Sequence, residues 1–352
     1  MTILKEQPTA SLKMMTARLT ISFAQISLQF PIEKRQTVWQ GNSEEFSTSP
    51  ELRKPYRKLR SMSEDENPLY RGMNRETLDL HYGPRNAIGD AEPFLAAYTT
   101  LSEAARAATD GKFDISYGPS HAEKIDIFPA GENAPVFVFF HGGYWRMFSK
   151  NESSFMAKSF NDAGISVVAV DYALVPHVTL DEIVRQCRAA LTWVYKNGAK
   201  HGIDPNRIHI GGSSAGGHLV GMMLAEGWPK KFGVPDNIIK GALGFSGLYD
   251  LEPLSHSFIN DWMHFDQGTM DRNSPQFLLG TKKACPTLLA VGSIEFSEFH
   301  RQTQEFADAL RKNGTSVEVM NVPDRNHFDV VTDLSDPSAA ITRATITQIL
   351  NS

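Results

Sequence analysis

From about Tyr117 to the C-terminus the chain alternates short, β-branched apolar runs with stretches of helical period, and this alternation most restricts its fold. The runs lie at 124–128, 136–140, 165–172, 207–211, 241–246, 286–291 and 317–322. A run such as Val136-Phe137-Val138-Phe139-Phe140 is apolar on both sides of the pleat, so it belongs in a sheet covered on both faces. Between the runs, Leu180, Ile183, Val184, Cys187, Leu191 and Val194 follow the i, i+3, i+4, i+7 rule, with Thr179 placed to cap the N-terminus. Further helices are expected at 153–163, 218–226, 298–312 and 338–350. Residues 130–133, Ala-Gly-Glu-Asn, read as the turn of a hairpin joining the first two runs. The expected fold is α/β, a mostly parallel sheet with helices on both faces.

Charge and composition narrow the partners. With 35 Lys+Arg against 40 Asp+Glu in 352 residues, the formal charge is −5, which disfavours a nucleic-acid binder. Apolar residues at 41% and charged residues at 21% fit a globular chain with a sizeable core. Cys187 and Cys285 lack zinc-finger or CxxC spacing and sit in apolar stretches, so buried thiols in a reducing compartment are expected. No apolar run reaches the roughly 18–20 residues of a membrane span. The 14–30 stretch is interrupted by Ser, Thr and Gln, and lacks a small-residue cleavage site, so it does not read as a signal peptide. A cytoplasmic location is expected. Residues 1–65, including the basic run 53–60, read as a solvated, partly disordered N-terminal extension, and 66–352 as a single domain.

The chemistry concentrates where Arg207-Ile208-His209-Ile210 runs into Gly211-Gly212-Ser213-Ser214-Ala215-Gly216-Gly217 and helical spacing follows. Gly212-x-Ser214-x-Gly216 thus sits at a strand-to-helix junction. There a sharp turn demands small flanking residues and lifts the serine oxygen above the sheet. Ser214 reads as a nucleophile, with Ser213 as the alternative. The strand 136–140 ends in His141-Gly142-Gly143-Tyr144-Trp145. Adjacent glycines leave backbone N–H groups unobstructed, so the N–H groups of Gly143, Tyr144 and Ala215 are assigned as an oxyanion hole. His141 reads as a structural residue orienting that loop.

A nucleophile elbow of this kind is followed along the chain by the acid and then the base. Of eleven histidines only His300 and His327 come late enough, and His300 falls within a helical stretch. His327, in a turn-rich loop after the last strand, reads as the base. The acid is Glu295, at the end of Leu288-Leu289-Ala290-Val291-Gly292-Ser293-Ile294-Glu295, with Glu298 and Asp250 as rivals.

Several segments together resemble kynurenine formamidase (arylformamidase), within the hormone-sensitive-lipase-like α/β hydrolases. They are His141-Gly142-Gly143-Tyr144-Trp145, residues 212–216, residues 246–254 from Ser246 to Leu254, and Asn273-Ser274-Pro275. Val291-Gly292-x-x-Glu295, residues 298–302 and Asn326-His327-Phe328 complete the set. The likeness runs from about Pro68 to the C-terminus and does not include the first 65 or so residues. It implies an α/β-hydrolase domain over 66–352, with Ser214, Glu295 and His327 as a catalytic triad. Family members often carry Asp where this chain has Glu295. The implied reaction is acyl transfer to water, cleaving N-formyl-L-kynurenine to L-kynurenine and formate in tryptophan catabolism. Tyr144, Trp145 and Phe148 are expected to stack on the aniline ring as substrate-binding residues.

The same residues would also serve a carboxylesterase, or an amidase or carbamate hydrolase for another small acyl or aryl amide substrate. A non-catalytic binding module would be expected to lack a triad member, and none is missing. No metal-ligand spacing occurs, so neither metal nor cofactor is expected. The expected partner is a small-molecule substrate, with no nucleic acid and no membrane, and a homodimer is allowed.

Overall fold

Alternate residues of the strand Ala134–Phe140 (β3) enter two different cores. Val136, Val138 and Phe140 join Ile208, Ile210 and the helix Leu180–Asn197 on one side; Phe137 and Phe139 join Val167, Phe245 and Phe160 on the other. Every residue of β3 is buried, as a strand covered on both faces requires. The computed structural model describes residues 67–352 apart from residue 282, so the expectations for the N-terminal extension, the 14–30 stretch and the basic run lie outside the described residues.

Seven further strands complete one sheet: Lys112–Ser116 (β1), Lys124–Phe128 (β2), Ser166–Val170 (β4), Ile203–Ser213 (β5), Ile239–Phe245 (β6), Thr287–Gly292 (β7) and Val317–Val322 (β8). Their order is β1-β2-β4-β3-β5-β6-β7-β8. β1 with β2 and β2 with β4 run antiparallel, and every other pair is parallel. Registers of Phe140 with Gly212, Gly212 with Gly244, and Gly292 with Val322 bring the carboxyl ends of the central strands to one edge. The loops leaving β3, β5, β7 and β8 therefore meet, the arrangement by which parallel sheets build sites.

The helix Leu180–Asn197 buries all six of its periodic apolar residues. Thr179 Oγ accepts the N–H of Glu182, and Asp181 and Glu182 lie in the first turn, where the helix dipole favours them. Burial of that stripe contributes about 2 kcal/mol per large side chain. The helices Ala157–Asp162 and Ala340–Leu350 pack into the core on the opposite face, placing helices on both sides of the sheet.

The hairpin expected at 130–133 does not form: β4 lies between β2 and β3. β3 is apolar throughout and takes parallel neighbours on both sides, β4 and β5. That leaves β2, whose Lys124 is half-buried, the outer position beside β4. The sequence pattern also missed β1 and the helix Glu92–Ala107, which buries only Ser102 and Ala105 and packs Tyr98 and Leu101 half-buried against the core. Cys187 is buried, Cys285 is half-buried and neither forms a disulfide. Among the described residues no helix is long and apolar enough to cross a membrane.

Candidate active site

β5 ends directly in Ser214, which has φ 58° and ψ −117° and starts the helix Ala215–Leu224. Such a conformation costs roughly 1–3 kcal/mol and persists only where its surroundings impose it. Here Ser213 is locked into the β5–β6 ladder, and the Ser214 N–H donates to the Phe245 carbonyl at 2.8 Å. Two residues on, a Cβ on Gly216 would lie 2.8 Å from the His141 carbonyl oxygen and closer still to that of Phe140. Only glycine lets the helix start this close to the end of β3, which is the physical content of the Gly-x-Ser-x-Gly spacing.

The loops after β7 and β8 are tied by several hydrogen bonds, the Ile294 N–H donating to the Arg325 carbonyl and the Asp324 N–H to Ser293 Oγ, and a further one joins two side chains. His327 Nδ1 lies 2.6 Å from Glu295 Oε2, and both residues are buried. The other oxygen, Glu295 Oε1, accepts from Ser246 Oγ at 2.5 Å and from the Gly292 N–H at 2.7 Å. With both Glu295 oxygens used as acceptors, Nδ1 is the donor of this bond and Nε2 is left free of it. Phe299 packs on the imidazole at 4.4 Å between ring centres.

The rival carboxylates are engaged elsewhere. Glu298 accepts from the Tyr82 hydroxyl at 2.8 Å and pairs with Arg301, and Asp250 accepts from the Tyr70 hydroxyl at 2.8 Å. His300 is half-buried on the helix Ser297–Lys312 and does not line the cavity. Ser214 and His327 both do, but no hydrogen bond joins them.

The loop after β3 turns back on itself: Gly143 has φ 95°, Tyr144 φ 49° and Trp145 φ 58°, and the N–H groups of Arg146 and Met147 both donate to the Gly143 carbonyl at 3.0 Å. A Cβ on Gly143 would run into the Met147 carbonyl and the Phe148 ring. Among the described residues the N–H groups of Gly143, Tyr144 and Ala215 donate to no protein acceptor. The Tyr144 hydroxyl donates to the Tyr82 carbonyl at 2.5 Å, tying the loop to the segment before β1. Burial pushes the Tyr144 phenol well above its ordinary pKa, so it stays a donor.

His141 lies against Tyr172, ring centres 4.0 Å apart, and the Tyr172 hydroxyl donates to the His141 carbonyl at 2.7 Å. Burial pushes the His141 imidazole down to about 4 and the neighbouring Asp171 carboxyl up to about 6.

These loops form a cavity of about 430 Å³ with a mostly apolar wall, within the range of small-molecule sites. Of the three aromatics expected there, Tyr144 and Phe148 line it. Trp145 does not: it is fully buried, its Nε1–H donates to His218 Nδ1 at 3.3 Å, and Phe265 meets its ring edge-on. The inverted backbone at Tyr144 and Trp145 turns the smaller ring to the cavity and the larger into the core. Tyr98, Phe155, Phe258, Trp262 and Phe328 line the cavity as well. Sequence pattern missed these because they come from separate segments and share no spacing.

Comparison with known proteins agrees with this geometry. The alpha/beta hydrolase fold family Abhydrolase_3 matches residues 137–330. Kynurenine formamidase of Danio rerio is 30% identical over 293 residues, covering 80% of this chain and 98% of that protein. The Salmo salar kynurenine formamidase is 29% identical over 288 residues, covering 78% and 96%. A crystal structure from Silicibacter sp. TM1040, provisionally assigned there as a thioesterase, superposes with a TM-score of 0.67 at 29% identity, covering 77% of this chain and 98% of that one. The strained serine at the end of β5, the single sheet and these likenesses agree: this hydrolase belongs to the kynurenine formamidase family of α/β hydrolases.

Proposed function

We propose that the protein is a serine hydrolase that cleaves small aryl formamides through a Ser214–His327–Glu295 triad, with N-formyl-L-kynurenine as the substrate and L-kynurenine and formate as products. The contact that carries the reading is the 2.6 Å bond between His327 Nδ1 and Glu295 Oε2, which holds an imidazole that lines the same cavity as Ser214. In this reading substrate binding brings His327 Nε2 onto Ser214 Oγ, a bond that often tightens only in the complex.

His327 takes the Ser214 proton as the oxygen attacks the formyl carbon. The N–H groups of Gly143, Tyr144 and Ala215, which have no competing acceptor, hold the oxyanion. Collapse of the intermediate breaks the C–N bond, and His327 protonates the departing arylamine. Water, deprotonated by His327, then attacks the formyl ester and releases formate. Glu295 holds the imidazole in one tautomer and stabilises its charged form. A formyl carbon is unhindered, and an arylamine leaves more readily than an alkylamine.

The test compares the protein with Ser214→Ala on N-formylkynurenine and on p-nitrophenyl esters of increasing acyl length. Formamide turnover that disappears with the hydroxyl supports the reading. Preference for long acyl esters with little formamide turnover would assign the site to a carboxylesterase.

A further inference from the structure

Two arginines line the cavity, and their electrostatic situations differ. Arg85 is paired with Glu92 at 2.9 Å, whereas Arg146 has no carboxylate partner among the described residues. The cavity's carboxylates are already engaged: Asp79 is bonded by Arg75 and by the Phe258 N–H, and Glu152 by the N–H and hydroxyl of Ser149. Arg146 is therefore a charge without an opposite partner in a mostly apolar wall.

Arg146 is exposed, but its head group is held in place. Arg146 closes the turn whose N–H bonds the Gly143 carbonyl, so its backbone lies three residues from the oxyanion loop. Its guanidinium stacks on the Trp262 ring, 4.3 Å from the centroid. Stacking desolvates one face of the cation, limits its rotamers and leaves the edge N–H donors presented as a fork. A planar fork beside an apolar cavity fits a carboxylate, with which it forms two parallel charge-assisted bonds.

Resting on the aryl formamide reading, we infer that Arg146 is a specificity-determining residue that binds a carboxylate carried by the substrate, and so selects aryl formamides that bear a carboxylate over those that do not. The bond exists equally in the ground and transition states, so its removal raises KM more than it lowers kcat.

The experiment measures kcat/KM for N-formylkynurenine and for its carboxamide, which differ only in carrying a carboxylate or a neutral amide at the same position, in the full chain and in Arg146→Met and Arg146→Lys. The ratio of the two values is independent of the fraction of correctly folded enzyme. It is expected to exceed about tenfold in the unaltered protein, to fall toward one in Arg146→Met with the change in KM, and to lie between in Arg146→Lys. A ratio near one in the unaltered protein, or one unmoved by Arg146→Met, would overturn the inference. If neither formamide is cleaved, the formamide reading itself fails. The charge comparison then passes to p-nitrophenyl hemisuccinate against p-nitrophenyl butyrate, where equal rates would overturn the role of Arg146 independently.

Discussion

Glu295 meets His327 at 2.6 Å with one carboxylate oxygen while its other oxygen is held by Ser246 and by the backbone of Gly292, so the imidazole's orientation is set from two neighbouring strand ends. Glu298, only three residues on, faces Tyr82 and Arg301 instead. Glu295→Gln is therefore expected to lower kcat about a thousandfold to ten-thousandfold, since the amide can present the wrong partner to Nδ1. Glu298→Ala should change kcat by less than about fivefold and instead cost about 1.5–3 kcal/mol of stability, because Tyr82 and Arg301 lose an ionic acceptor. Steady-state kinetics and urea denaturation of both variants check this, and the reverse ranking in kcat would remove Glu295 from the acid's role.

Ser214 carries strain that its backbone conformation does not demand of glycine. Ser214→Gly should abolish hydrolysis and raise the unfolding free energy by about 1 kcal/mol. Equilibrium denaturation against the unaltered protein reads the difference; a loss of stability would mean that the serine side chain contributes packing that outweighs the strain.

Gly216 has no space for a methyl group between the helix start and the end of β3. Gly216→Ala is expected to destabilise the fold by about 1–3 kcal/mol, and to lower kcat by displacing Ser214 and the loop after His141. Melting temperature and kcat measured on one preparation test both effects. A variant with unaltered activity would show that the elbow can relax.

Acid should destabilise the protein before its ordinary carboxylates titrate. Burial holds His141, His209 and His218 at about 4, below the ordinary 6.5. Between those values the unfolded chain binds their protons and the folded chain does not, so stability falls as pH drops from 6.5 toward 4. The loss is about 3 kcal/mol for each residue. Asp171, raised by burial from 3.8 to about 6, acts in the opposite direction over the lower part of that window, as the folded state takes its proton first. Three histidines against one carboxyl leave a net loss, to be seen as a lower urea midpoint at pH 5 than at pH 7. A higher midpoint at pH 5 would contradict it.

Periodicity carried the framework. Strand segments and the stripe of Leu180–Asn197 were legible because burial selects residue types at intervals of two and of 3.6. The elbow was legible too, since a turn that excludes any Cβ leaves glycines at fixed offsets from the serine. Strand order was not: the 130–133 segment looks like a hairpin locally, and only the need of an all-apolar β3 for neighbours on both sides inserts β4 beside it. Local sequence also left Glu295, Glu298 and Asp250 as rivals. Which carboxylate reaches an imidazole from another strand depends on where β7 and β8 end in register, and that is decided only when the sheet assembles. For the same reason Trp145 and Tyr144 looked equivalent in sequence, yet the inverted turn after β3 sends one ring into the core and the other to the cavity. Patterns along the chain report what each segment must bury; which side chains converge is a property of the closed fold, in which distant strand ends become neighbours.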